Sequence, residues 1–174
     1  MTAVNIILLL LTTVALISYS FNFLSSASKR KKENLCSRLS KEGTLHNLIF
    51  CSQEILQNKI IGVDGIHRKI MVLEKNKKNY NSEIISLDEV ENCELITTRR
   101  MQGTHSLNRV DAEKNIDAVE LQLEFKNNSR TAAIIFFDSS VNSLRELDIL
   151  KAKARYWNIM FSKMLTRSRI EVRA

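Results

Sequence analysis

Proline is absent from the 174 residues of this sequence, and glycine and cysteine occur only four and three times. The absence of proline argues against a proline-rich linker or tail, and so few glycines leave few places for hinges or phosphate-cradling loops. The cysteines are Cys36, Cys51 and Cys93, an odd number at wide spacing without a CxxC pair. This pattern does not fit a disulfide framework, so we expect a reducing compartment.

The sequence also lacks the short motifs that mark common catalytic sites, such as a P-loop, a dinucleotide-binding fingerprint, a serine-hydrolase elbow or HExxH. Its histidines, His46, His67 and His105, are widely separated and have no cysteine at zinc-finger spacing, which favours ordinary surface or core roles over a metal site. The acidic cluster at 88–91 fits a solvated turn better than a general acid–base pair. We therefore expect a protein that is not an enzyme and uses no cofactor.

Charged residues are missing from the first 28 positions, although the chain has a formal net charge of +7. The apolar run from Val4 to Leu24 is just long enough, at about 1.5 Å per residue, to cross a hydrocarbon layer of about 30 Å. A cleaved signal peptide is the alternative, because small residues follow at 25–28. Such a signal needs positive charge before its apolar run, whereas here the charge follows it. Residues 1–28 are therefore predicted to be a transmembrane anchor.

A basic cluster follows the apolar run directly, and it consists of Lys29, Arg30, Lys31 and Lys32. By the positive-inside rule, it predicts a single-pass protein with its N-terminus outside and its soluble domain in the cytoplasm. The same cations are candidates for contact with anionic lipid headgroups. Residues 29–45, with Leu35 and Leu39 four apart, predict a basic helical connector. The folded domain is expected to begin after it, at residue 46.

Between Asn47 and Phe137 the pattern changes to short β-rich runs separated by turn residues. The runs KIIGV and IHRKIMVLE flank Asp64 and Gly65, which predicts a hairpin with a tight type I′ turn. Alternation in the second run is imperfect, which indicates a strand buried on both faces near its end. SEIISL and NCELITTR are predicted as further strands, and Cys93 in the latter is predicted to be a buried apolar residue.

The strand pattern is clearest in DAVELQLEF, where apolar and polar residues alternate, and TAAIIFF returns as its hairpin partner. After Asp138 the period changes to about 3.6, and Ser143 with Glu146 makes a capping box. A helix of about 22 residues follows, with Trp157 as a core anchor. Its apolar stripe is Leu147, Leu150, Ala154, Trp157, Phe161 and Met164. Its opposite face is expected to carry Arg145, Asp148, Lys151, Lys153, Arg155 and Lys163.

Residues 46–166 resemble the bacterial pleckstrin-homology-like domains in the stretches IIGVDGIHRKIMVLE, LDEVENCELI, VELQLEF, AIIFFD and KAKARYWNIMFSKML. The resemblance implies an α+β fold in which an antiparallel β-barrel or bent sheet is capped by a long C-terminal helix. Residues 167–174 are predicted from their own composition to be a basic tail. Such domains commonly serve as binding or scaffolding modules. Members that bind phosphoinositides use a basic first strand-loop-strand, and the turn at Asp64 and Gly65 is too short for that pocket.

The function expected from these features is that of a membrane-anchored, non-enzymatic binding or scaffold protein. Its cytoplasmic domain would engage a protein partner, for instance through an exposed sheet edge. The alternative is a peripheral module that reads anionic lipids with the basic cluster and the basic face of the last helix. Nucleic acid is not favoured despite a pI of about 9.5, because the aromatic residues fall on predicted core faces.

Overall fold

The computed structural model describes residues 32–76, 79–100, 115–126 and 130–171, together with four isolated positions before residue 32. Helix α1 spans 32–45 and is followed by seven strands. These are β1 Ser52–Ile55, β2 Lys59–Asp64, β3 Lys69–Asn76, β4 Asn79–Ser86, β5 Val90–Arg99, β6 Ile116–Phe125 and β7 Thr131–Asp138. A short 3₁₀ turn, Leu144–Glu146, leads into the long helix α2, Leu147–Glu171. The α+β class expected from the sequence is confirmed.

The strands form two antiparallel sheets in chain order, β1-β2-β3-β4 and β5-β6-β7. No ladder joins the two sheets in the part of the chain that the structure describes, so the described strands form no closed barrel, which was one of the two alternatives that the sequence left open. The chain passes from one sheet to the other at the turn after β4, where Leu87 and Val90 are both buried. Both side chains enter the core that the two sheets share. The strand that follows this turn, β5, therefore belongs to the second sheet and does not pair with β4.

The larger core cluster joins both sheets to α2, and its largest side chains are Trp157, Phe137 and Phe161. On the α2 side, every predicted stripe residue from Leu147 to Phe161 is buried, and Leu165 is buried where Met164 was expected. The capping box is confirmed, since the Glu146 carboxylate accepts the backbone N–H of Ser143 at 2.9 Å. The apolar stripe thus holds α2 against β5, β6 and β7.

A second core cluster lies between α1 and the opposite face of the four-stranded sheet, and it contains Leu35, Leu39, Leu48, Ile60, Met71 and Leu73. Gly62 of β2 permits this contact, because a Cβ at that position would lie 2.9 Å from Leu39 and 2.7 Å from Phe50. The expected domain boundary placed residues 29–45 outside the folded unit. The burial of Leu35 and Leu39 instead makes α1 a layer of that unit.

The β2–β3 connection differs from the expected two-residue type I′ turn. The last strand pair is Asp64 with Lys69, so four residues, from Gly65 to Arg68, form the loop. The positive φ falls on Arg68, at 53°, and not on Gly65. The reason is that the buried Asp64 side chain accepts the backbone N–H groups of Ile66 and His67 and closes a wider loop.

The predicted anchor, residues 1–28 with its apolar run from Val4 to Leu24, lies outside the described residues except at Thr12, Thr13 and Leu16. Among the helices that the structure does describe, none is long and apolar enough to cross a membrane. The polar segment 101–114, which contains His105, also lies outside the described ranges.

Candidate interaction surface

The outward face of α2 carries large apolar side chains that no other described element covers. Ile149, Tyr156 and Ile159 are 61%, 60% and 56% exposed. Ala152 is exposed between them, and the spacing of the four residues places them on one face of the helix. We call Ile149, Ala152, Tyr156 and Ile159 the outer stripe. It lies opposite the buried stripe that contains Ala154, so α2 is apolar along two faces.

Packing on the inner side fixes the position of the outer stripe. Trp157, next to Tyr156, is 1% exposed, and its ring lies 5.4 Å from that of Phe161. The Tyr156 and Trp157 rings meet edge to face with their centroids 6.3 Å apart. Near the start of α2, the Lys153 ammonium donates to the Glu54 carboxylate of β1 over 2.7 Å. The stripe is therefore presented by a helix that is held at several points along its length.

Charged residues border the outer stripe and are mostly basic. Arg145 lies four residues before Ile149, and Lys163 lies four residues after Ile159, so each continues the same face by one turn. Asp148 and Arg155 are exposed along one side. The sequence expectation of a wholly charged outer face named these cations correctly but missed the apolar residues between them. The missed signal is a second 3.6-residue period in Ile149, Ala152, Tyr156 and Ile159.

A groove of about 370 Å³ opens where α2 begins, between α1 and the β1–β2 connection. Its apolar walls include Leu35, Ile55 and Leu150, and its charged groups are Lys32, Lys153 and Glu146. The described lining has no thiol, hydroxyl or imidazole group that would act as a nucleophile or base. Among the described residues there is also no cluster of three metal-ligating side chains.

Of the predicted lipid-contact residues, Lys29 and Lys31 lie outside the described positions. Arg30 is exposed at an isolated described position before α1, and Lys32, the first residue of α1, is exposed and borders the groove. The structure therefore places one member of the basic cluster within reach of α2, at the end of the domain that follows the predicted anchor.

The other side chains considered from the sequence have structural roles. Cys93 is 5% exposed, as predicted, and burial raises the pKa of its thiol to about 12. In the 88–91 turn, Asp88 pairs with Arg68 over 2.7 Å. His46 is exposed just after α1, and His67 contacts the buried Asp64. The His67 ring is thus paired with a carboxylate that also accepts backbone N–H groups from Ile49, Ile66 and His67.

Asp64 joins two loops, because its carboxylate accepts N–H groups from Ile49 at 2.8 Å and from Ile66 and His67 at 2.9 Å. The His67 ring, through Nδ1, is 2.7 Å from the same carboxylate. Burial alone would raise the pKa of Asp64, but the hydrogen bonds from His67, Ile49 and Ile66 outweigh it and hold the pKa at about 2. Ile49 and Ile66, which this junction positions, are 65% and 75% exposed.

Asp64→Asn is expected to lower the free energy of unfolding by about 2 to 3 kcal/mol, because the amide nitrogen would face N–H donors where a carboxylate oxygen now accepts them. Asp88→Asn is the control. It removes an exposed ion pair with Arg68 and should cost less than about 1 kcal/mol. Urea unfolding of the full chain in mild detergent, followed by Trp157 fluorescence, gives both values. Equal losses in the two variants would contradict the role assigned to Asp64.

Low pH is expected to destabilise the fold by protonating the Asp64 carboxylate. The pKa is lowered from 3.8 to about 2 on folding, so the unfolded chain binds the proton more tightly. The stability that Asp64 contributes is therefore fully present above the unfolded pKa and is lost as the pH falls from about 4 to 2. Unfolding midpoints of the wild type should fall more steeply over this interval than those of Asp64→Asn. Parallel pH profiles would rule out Asp64 as the group responsible.

No family model, curated protein or solved structure matches this chain. The outer stripe, the groove at the start of α2 and the Asp64 junction are the features of the described residues that bear on function. Of these three, the stripe is a surface apolar enough to be covered by another molecule.

Proposed function

We propose that this protein is a membrane-anchored, non-enzymatic binding module whose cytoplasmic domain docks a protein partner along the outer stripe of α2. The observation that carries the proposal is the exposure of Ile149, Tyr156 and Ile159 on one face of a helix whose other face is buried. Contiguous exposed apolar groups rimmed by polar ones are typical of interaction sites. An aromatic residue at the centre of such a patch suits a binding hot spot.

The order of elements supports a binding module. Seven antiparallel strands followed by a long C-terminal helix agree with the order of elements that the resemblance to pleckstrin-homology-like domains implies. The proposal assigns the chain to that kind of domain, with α1 as an added layer. Domains of this kind commonly bind or scaffold other proteins, which agrees with a docking face on the helix.

The membrane tether in this proposal comes from the apolar run at Val4 to Leu24 and the basic residues that follow it. The exposed Arg30 and Lys32 would then lie at the cytoplasmic surface of the membrane. Because α1 begins at that point and packs on the sheet, the docking face would be held close to the membrane.

A lipid-surface role is the second candidate, and one observation favours it. The outer stripe is bordered by the cations Arg145, Arg155 and Lys163 and by two exposed acids, Glu146 and Asp148. An apolar stripe flanked by cations is the pattern of helices that lie on anionic bilayers. In that case the stripe would enter the headgroup region, and no protein would cover it.

Photo-crosslinking in cells tests the protein-docking proposal on the full chain. We expect benzoylphenylalanine at Tyr156 to yield a discrete protein adduct, and Ile149→Asp in the same chain should abolish that adduct. The same probe at Glu124, an exposed position on β6, is the control. A probe at Asn81 on β4, a strand at the edge of its sheet, tests docking through a sheet edge. An adduct from Asn81 alone would move the docking face to that edge, and no adduct from either position would contradict protein docking.

A further inference from the structure

The outer stripe has a spacing that reads the same in both directions. Ala152 follows Ile149 by three residues, Tyr156 follows Ala152 by four, and Ile159 follows Tyr156 by three. Two such helices packed antiparallel, with their two-fold axis on the outer face at the level of residue 154, bring Ile149 of one copy against Ile159 of the other. Ala152 of each copy then faces Tyr156 of the other. The sequence of the stripe is therefore complementary to itself when reversed.

Side-chain size distinguishes this antiparallel arrangement from a parallel one. In the antiparallel pair, each large Tyr156 side chain meets the small Ala152, so that the two surfaces interlock without a gap. In a parallel pair, the two Tyr156 side chains would meet and be too crowded, whereas the two Ala152 side chains would meet and leave a void. A two-fold interface also uses each exposed side chain twice, once from each copy.

We propose that the partner that docks on the outer stripe is a second copy of this chain, packed antiparallel to the first through α2. The inference rests on the proposed function, since it names the partner of the same surface. The outer stripe offers four residues per copy, against roughly 20 to 30 per partner in a standard stable complex, so the association is expected to be reversible. Confinement of both copies to one membrane by the predicted anchor raises their effective concentration and favours the pair.

The antiparallel register has a consequence for charge. Arg145 and Lys163 continue the stripe at its two ends, and both are exposed. The register places Arg145 of one copy opposite Lys163 of the other, and this happens twice in the pair. Asp148, three residues after Arg145, offsets part of the repulsion. The wild-type pair is therefore weakened by like charges at both ends, and reversal of one of the two charges should tighten it.

Self-association of the full chain in lipid vesicles, measured by energy transfer between labelled copies, tests this arrangement. Lys163→Glu is expected to tighten association about tenfold, because two repulsive contacts become attractive. Arg145→Glu should do the same, and the double variant should return close to the wild type, since like charges face each other again. Lys41→Glu, on an exposed position of α1, is the matched control and should change nothing. Tyr156→Asp should abolish association.

The lipid alternative predicts the opposite sign, because Lys163→Glu would weaken contact of the stripe with an anionic bilayer. Unchanged or weaker association in Lys163→Glu overturns the antiparallel pair. The crosslink from Tyr156 separates the remaining outcomes. An adduct of twice the 20.0 kDa chain mass supports both proposals. An adduct with a different protein alone keeps the docking function and overturns the second-copy inference, and the absence of any adduct overturns both.

Discussion

Replacement of Trp157 by alanine is expected to lower the free energy of unfolding by about 3 to 5 kcal/mol. Trp157 is 1% exposed and belongs to the core cluster that joins both sheets to α2. Its ring contacts that of Phe161, so alanine would leave a cavity in the layer that holds the helix. Loss of this packing should release α2 and, with it, the outer stripe.

Far-UV circular dichroism during urea unfolding is the measurement, because Trp157 is the one tryptophan of the chain and its fluorescence is lost in the variant. Trp157→Phe is the control. The indole Nε1 has no hydrogen-bond partner among the described residues, so phenylalanine keeps much of the ring and gives up no bond. This variant should lose less than about 1.5 kcal/mol. Equal losses for phenylalanine and alanine would show that ring packing does not stabilise this site.

Leu39→Ala is expected to cost about 2 to 5 kcal/mol, the usual range for a buried leucine. Leu39 of α1 is fully buried against β2, so the lower free energy of unfolding should be seen for the whole domain. Leu45→Ala is a matched control in the same helix, since Leu45 is 68% exposed and should change stability by less than about 0.5 kcal/mol. If both variants unfolded like the wild type, α1 would be a connector outside the folded unit, as the sequence alone suggested.

The sequence predicted the elements whose pattern is local. Alternation in β6 and the capping box at Ser143 and Glu146 depend on neighbours a few residues apart, and both elements lie where they were expected. The imperfect alternation in β3 was also interpreted correctly, because Ile70, Met71 and Leu73 are buried on the two faces of the sheet. Local periodicity was therefore a sufficient guide to β3, β6 and α2, whereas the short strand β1, Ser52–Ile55, was not predicted.

The local sequence pattern did not predict which element packs on the second face of a strand that is buried on both faces. A strand buried on both faces requires a second cover, but nothing in the basic run at 29–45 shows that Leu35 and Leu39 supply it. The β2–β3 loop was also mispredicted, because the Asp64 and Gly65 pair favours a tight turn locally. The hydrogen bond from Ile49, fifteen residues away, ties Asp64 to a distant loop. Both features depend on contacts between segments that are distant in sequence.

The outer stripe could have been predicted from the sequence, but it was missed for a different reason. Charged side chains occupy the same turns of α2, and a single apolar stripe already explained how the helix packs. A search for a second period in the same helix would have found Ile149, Tyr156 and Ile159. Exposure in the structure then distinguished them from the core, since all three are more than half exposed.

The packing of α1 on the sheet also sets how far the domain can travel. The folded unit begins at residue 32, and the apolar run of the predicted anchor ends at Leu24, so seven residues, 25–31, separate them. Even a fully extended chain would span at most about 28 Å from residue 24 to residue 32, and the helical Arg30 shortens this reach. If the predicted anchor crosses a bilayer, the domain would be confined to a thin layer beside the membrane surface. Contacts between neighbouring molecules in the same membrane would then be favoured over capture of a partner from solution.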